Sequence, residues 1–265
     1  RFDGVDTRES QMIQLCDMIL ANSTAGIIDL NLNQAQAVQN ASSFTYILTD
    51  YSAHMLTGSP KQGQTLEEVK DLLLAQIDSL KAGAFPDWLP EACINDLKLG
   101  RVRQFDNNRG RTGMMVDAFV QRRDWSEAVN EIDELKKFSK EDIMNFAKEN
   151  YKDNYVAVYK KTGEKENDIT VVKPEITPVK VNREDASPFL TELTGMKFDP
   201  IQPRFLDYEK DINETQLANG AIVRTVKNET NGLFSLYYLF DMGKNNNSKI
   251  DLALDYLQFL GTDKY

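Results

Sequence analysis

Five of the eight prolines in this chain, Pro174, Pro178, Pro188, Pro200 and Pro203, fall within one stretch. Proline has no backbone N–H and restrains the residue before it, so a long helix or inner strand cannot run unbroken through that region. Residues 168–205 are therefore expected to be an extended connector with little regular structure. Ile176, Val179, Val181, Phe189, Leu190, Leu193 and Phe198 give it apolar anchors, which predict a segment laid across a surface. The boundary divides the chain into an α+β unit at 1–167, the connector at 168–205, and a second unit at 206–265.

The first unit alternates helix and strand signals. Thr7 can cap a helix that carries Met12, Leu15, Cys16, Ile19 and Leu20 on one face, ending near Asn22. A short helix is expected over Ala25–Gln36. Ser43 to Leu56 reads as a strand, with Phe44, Tyr46 and Leu48 alternating, broken by Gly58-Ser59-Pro60. Thr65 and Glu68 form a capping box, followed by the stripe Leu66, Val69, Leu72, Leu73, Ile77 and Leu80 and a terminating Gly83. Residues 87–122 predict one long or broken helix, weakened by Gly100, Gly110 and Gly113. Helices at 125–137 and after Ser139 follow, and Tyr155–Tyr159 predicts a closing strand. In the second unit, Asn219-Gly220 leads into Ala221–Val226. That run is expected to pair with Leu233–Phe240 as a hairpin, and Ile250–Leu260 predicts a helix. One hairpin and one helix cannot bury an independent core, so the second unit is expected to be the start of a larger domain.

The chain contains a single histidine, His54. A zinc site with two histidine ligands cannot be built from it, and a Ser-His-Asp triad would have to use it. Without a visible partner, His54 reads as a structural or surface residue. Cys16 and Cys93 are too few for a cysteine-rich metal site. They read as small buried apolar residues, and whether they pair stays open. With 31 Lys+Arg against 41 Asp+Glu the net charge is -10, which repels phosphate backbones and speaks against nucleic-acid binding. No apolar run reaches the roughly 20 residues of a membrane span. Glu67, Glu68 and Asp71, like Asp133, Glu134, Glu141 and Asp142, suit helix ends more than a catalytic carboxylate pair. Arg101, Arg103, Arg109, Arg111, Arg122 and Arg123 form a basic stretch. Its readings are a hold for substrate carboxylates, a contact to an acidic face elsewhere, or a solvated helix face.

Several local patterns, in order, resemble the insulinase/pitrilysin family of zinc peptidases, the inverzincins. Ile19-Leu20-Ala21-Asn22 with Ala25-Gly26-Ile27-Ile28 is similar to that family's helix, small-residue turn and helix. LEEVKDLLLAQIDSLKAGAF, running to Phe85, is similar to its long helix and K-x-G-x-F turn. FSKEDIMNFAKENY at 138–151 with the following VAVYKK, and LANGAIVRTVKN at 217–228, are similar to its later helix and to the strand that opens each half. The resemblance covers nearly the whole chain. It implies an α+β fold, an antiparallel sheet backed by helices as in the insulinase/mitochondrial processing peptidase-like metallohydrolase domain, plus the start of a second such domain.

The same resemblance implies a central piece of a four-domain parent whose halves close as a clamshell around a peptide chamber. The family's H-x-x-E-H zinc helix lies in its first domain, so zinc is expected upstream and no cofactor within this piece. In the third-domain position the motif falls on Leu252, Asp255 and Tyr256, ahead of Phe259-Leu260-Gly261-Thr262. Leucine cannot ligate zinc and a phenol is a poor ligand at neutral pH, so this copy is expected to be degenerate and metal-free. The Ser43–Leu56 strand is the element expected to offer an edge for substrate by strand addition, with an interior place in the sheet as the alternative. The expected partners are peptide substrate and the remaining domains of the parent, with no nucleic acid and no membrane span. The alternative is a catalytically inactive relative that serves as a peptide-binding scaffold. Periplasm and cytoplasm both remain open.

Overall fold

The computed structural model describes residues 1–163, 171–203, 205–257 and 260–261. The chain forms two compact units, Arg1–Met196 and Lys197–Tyr265.

The first unit begins with β1 (Phe2–Asp3), followed by α1 (Arg8–Leu20). Thr7 caps α1, its hydroxyl accepting the Ser10 N–H at 3.2 Å. Met12, Ile13, Leu15, Cys16, Ile19 and Leu20 are all fully buried. A helix apolar around most of its circumference belongs in the middle of a domain, and α1 is the axis of this core. Asn22 then closes the turn, its Oδ1 accepting the N–H groups of Thr24, Ala25 and Gly26. The helix expected over Ala25–Gln36 is largely wound as a π-helix at Asp29–Gln34. Ala35 N–H reaches Leu30 O, and Ala37 N–H reaches Leu32 O, each five residues back.

Where one strand was expected from Ser43 to Leu56, the chain makes a hairpin, β2 (Asn40–Ile47) and β3 (Tyr51–Ser59). The bend at 48–50 lies inside a run of β-prone residues, where no Gly or Pro marks it. The strands pair antiparallel from Asn40↔Ser59 to Ile47↔Ser52. β1 adds to the far side of β3 through Phe2↔Ser52 and Asp3↔Tyr51, giving the order β1-β3-β2.

α2 (Leu66–Ala82) has the capping box in full. The Thr65 backbone N–H and hydroxyl hold the Glu68 carboxyl below its usual range. Gly83 ends α2 at φ 68, where a side chain would be strained. The expected long helix is broken into α3 (Leu89–Gln104) and α4 (Asn108–Val120). Asn107 accepts the Gly110 N–H and starts the second piece. α5 (Trp125–Leu135) and α6 (Lys140–Asn150) complete the helical layer, with Leu135 and Ile143 fully buried.

The strand expected at Tyr155–Tyr159 does not form. The segment makes no ladder, and Val156 and Val158 are 89% and 88% exposed. β-branched residues favour strands only when a neighbouring strand completes the hydrogen bonds. The connector differs from expectation too. Pro188 sits at the start of α7 (Pro188–Gly195), a position that needs no N–H, and Ser187 caps it. The expected anchors are solvent-facing, Val179 at 85% and Phe189 at 72%. Residues 168–170 and 204 of that stretch lie outside the described residues.

In the second unit, β4 (Asn213–Gln216) pairs with β5 (Ile222–Thr225) around Gly220. β5 therefore pairs with the residues before the Asn219-Gly220 turn, not with Leu233–Phe240 as expected. Leu233–Phe240 forms no strand. α8 (Ile250–Leu257) follows and buries no residue. Among the described residues no helix is long and apolar enough to cross a membrane.

Candidate functional site

The expected degenerate motif lies on α8. Leu252 is 73% and Tyr256 59% exposed, and Asp255 is exposed beside them. This donor set does not fit zinc, since leucine offers no lone pair and one carboxylate with one phenol falls short of three ligands. Among the described residues no three His, Cys, Asp or Glu side chains converge on a common point. Phe259 and Thr262 of the expected motif region lie outside the described residues.

His54 is buried and heavily engaged, rather than solitary. Its Nε2 is 2.7 Å from Ser43 Oγ and 3.3 Å from Asp17 Oδ1, and its Nδ1 is 2.6 Å from Tyr151 OH. Ser43 Oγ donates to Asp17 Oδ1 at 2.5 Å. With a neutral imidazole this direction orders the chain: Ser43, having given its proton to the carboxylate, accepts from Nε2–H, and Nδ1 accepts from Tyr151. Burial pushes the Tyr151 phenol well above its ordinary value and the Cys16 thiol beside it up to about 12. The residue types suggest a triad, but the geometry is not one. Asp17 and Ser43 lie on the same ring nitrogen, and the serine proton is already committed to Asp17. The cluster ties α1, both strands of the hairpin and the end of α6 together. Sequence reasoning found His54 but not its partners, which come from positions up to 97 residues away.

Cys93 is buried as well, and burial raises its thiol to about 11. Both cysteines are free thiols. Two arginines of the basic stretch are absorbed structurally. Arg101 meets Glu131 at 2.8 Å, and Arg123 meets Asp6 at 2.6 Å. Glu67 and Glu68 lie in the first turn of α2, and Glu141 and Asp142 in that of α6, as helix-end charges.

One edge of the three-stranded sheet is open among the described residues. β2 is an outermost strand, and its Ala41 backbone points away from β3. Asn33, from the π-helical turn, pairs with that backbone by both side-chain atoms: Nδ2 donates to Ala41 O and Oδ1 accepts from Ala41 N, each at 2.8 Å. Strand backbone direction alternates with a period of two, so Ser43, Thr45 and Ile47 present N–H and C=O groups on the same side. Among the described residues no strand pairs with that side. The strand's two faces are also assigned. Ser43 and His54 face α1, and Gly58 faces Val69 and Leu73 of α2. Phe44 and Tyr46 point the other way, in edge-to-face contact at 5.5 Å, with Met55 opposite Phe44. Tyr46 is 56% and Met55 43% exposed. The alternation read in the sequence is therefore real, but its aromatic side faces out and its hydroxyl side faces in.

No protein-family model matches the sequence, and no curated protein matches it. Among solved structures, a protease from Helicobacter pylori is similar, with a TM-score of 0.53 and 15% identity over 57% of this chain and 37% of that one. This chain thus spans little more than a third of that protein. The inactive peptidase domain of a candidate zinc protease from Bordetella parapertussis aligns at a TM-score of 0.49 and 16% identity, over 55% of this chain and 79% of that domain. At such identity the likeness to the first is one of fold alone: an α+β arrangement with small antiparallel sheets.

Proposed function

We propose that this chain is a non-catalytic portion of a zinc metallopeptidase of the insulinase/pitrilysin kind, which walls the peptide chamber, joins its halves and holds substrate. The observation that carries this reading is the open β2 edge, with Ser43, Thr45 and Ile47 free to accept an extended chain beside an outward patch of Phe44, Tyr46 and Met55. A polypeptide adding there gains main-chain hydrogen bonds irrespective of its sequence, which suits a chamber that admits many peptides. The fold likeness to a protease supports the same reading. Zinc and its H-x-x-E-H helix belong, on this reading, to another part of the parent.

The test is Thr45→Pro. The Thr45 N–H points outward, so proline there removes no bond to β3 yet blocks an incoming strand. Binding of a labelled unstructured peptide, read by fluorescence anisotropy, should weaken about tenfold or more with an unchanged melting temperature. Undiminished binding would remove the edge from the reading. Zinc per chain in the longer parent separates the enzyme from the inactive-scaffold alternative: near-stoichiometric metal supports the peptidase, and none after reloading supports the scaffold.

A further inference from the structure

α4 is apolar on two opposite sides, and only one of them is covered. Met114 and Ala118 pack against Ala128 of α5 and form a small core of their own. On the other side Met115, Val116, Phe119 and Val120 are 56%, 56%, 83% and 66% exposed. They stand at i, i+1, i+4 and i+5, so at 100° per residue they make one continuous stripe. A helix apolar on both sides belongs between two partners, and this one has its second side bare. Two glycines differ in the same helix. A side chain at Gly110 would collide with Gln104 O, so packing explains it, whereas at Gly113 it would meet nothing within 4 Å. Among the described residues no contact accounts for a helix-weakening residue at Gly113.

The charge around the stripe is also unusual. α1, α2, α3, α5 and α6 each carry an acidic residue in the first turn. α4 has none, and places Arg109 and Arg111 there instead. Cations at that end add to the positive pole of the helix dipole and destabilise the isolated helix. Arg103 of α3 and Arg122, just past the C-terminal end of α4, are exposed as well. Arg111 donates to Phe105 O and Asn108 Oδ1, both uncharged acceptors. From Lys98 to Arg123 there are seven basic and two acidic residues in a chain of net charge -10, and of the seven Arg101 and Arg123 are paired with Glu131 and Asp6. The surface is thus an apolar stripe framed by cations.

We propose that the exposed side of α4 is a docking surface for a polypeptide segment that is apolar on one side and rich in carboxylates on the other. Phe119 and Met115 are its anchors, and Arg109 and Arg122 hold the carboxylates at the two ends. A protein segment is favoured over an anionic membrane because a narrow segment meets only the local cations, the rest of the chain being screened beyond about 10 Å, whereas an extended lipid surface of like sign faces the wider acidic surface as well. The site is separate from the β2 edge and does not depend on the peptidase reading.

The test uses the full chain and a labelled synthetic amphipathic peptide with leucine and phenylalanine on one side and glutamate on the other. Its counterpart carries lysine for glutamate. The acidic peptide should bind about tenfold or more tightly than the basic one. Its affinity should fall several-fold as salt rises from about 50 to about 300 mM, because exposed pairs are screened. Phe119→Ser and Arg109→Glu should each weaken binding about tenfold without lowering the melting temperature, since neither side chain is buried and a carboxylate at the start of α4 suits the helix pole. Equal binding of both peptides, or full binding by both variants, would overturn the proposal. So would binding to phosphatidylserine vesicles in place of the peptide, or self-association that Phe119→Ser abolishes without any peptide binding.

Discussion

The residues up to Tyr151 and the residues after it are equally rich in large apolar side chains, yet they do opposite things with them. In the first region Leu15, Ile19, Leu80, Leu89, Leu135 and Ile143 are at or near complete burial. In the second, Phe234, Leu236, Tyr237, Tyr238, Leu239 and Phe240 are all between 62% and 92% exposed. Hydrophobicity and β-propensity do not separate them, since Leu233–Phe240 is the most strand-like run in the chain. Partners do. β2 and β3 complete each other's ladder, and α1 and α2 cover their inner face. Tyr155–Tyr159 and Leu233–Phe240 have no ladder among the described residues, and their propensity goes unused. Strand formation is a property of pairs, and burial a property of layers.

Three measurements would break or sharpen that contrast. Leu15→Ala should cost roughly 2–5 kcal/mol, a large part of a typical domain's stability, and lower the urea midpoint accordingly. Leu236→Ala, on the exposed run, should move it by no more than about 0.5 kcal/mol. Equal effects would mean that the second region has a core after all. At the next scale, Thr65→Ala removes the α2 cap and should cost about 1 kcal/mol. Ser187→Ala removes the same kind of cap from α7, which buries nothing, and should leave the midpoint where it is. The smallest effect is a pH dependence. The Ser139 side chain and backbone hold the Asp142 carboxyl below its usual range, so it titrates lower folded than unfolded. Its contribution is complete above the unfolded value of about 4 and is lost as pH falls through the lower folded one. Asp142→Asn should therefore flatten the fall of melting temperature in that acidic window. Asp207, lowered by Lys210 in the second region, should leave the profile unchanged when replaced by asparagine.

What was legible in the sequence is what is decided locally. Thr7, Thr65 and Ser139 were expected to start helices and do so, because a cap needs only its own next three residues. The end of α2 at Gly83 is local in the same sense. The hairpin was missed because its bend at 48–50 carries no glycine or proline, and β1 because two residues have no periodicity to read. The inward turn of Ser43 and His54 was hidden for a different reason. An apolar alternation normally marks the core side, and here the helix that covers the sheet brings a carboxylate, Asp17, to meet hydroxyls and an imidazole. The open edge could not be read, since it depends on which strands find partners.

The Asn33 side chain, clasped to both backbone groups of Ala41, acts on that edge as a stop acts on a ruler. A guest strand cannot slide past it, and the groups left for it run from Ser43 to Ile47, about 14 Å at the usual strand rise. A one-residue shift within that window turns the guest over and brings its other set of alternate side chains to Phe44 and Tyr46, whereas a two-residue shift keeps the same set. In any one register only every second side chain of a guest would face those rings. On the proposed reading, one amide fixed at the end of a strand would thus limit the registers open to a guest, and in each of them Phe44 and Tyr46 would meet only every second residue.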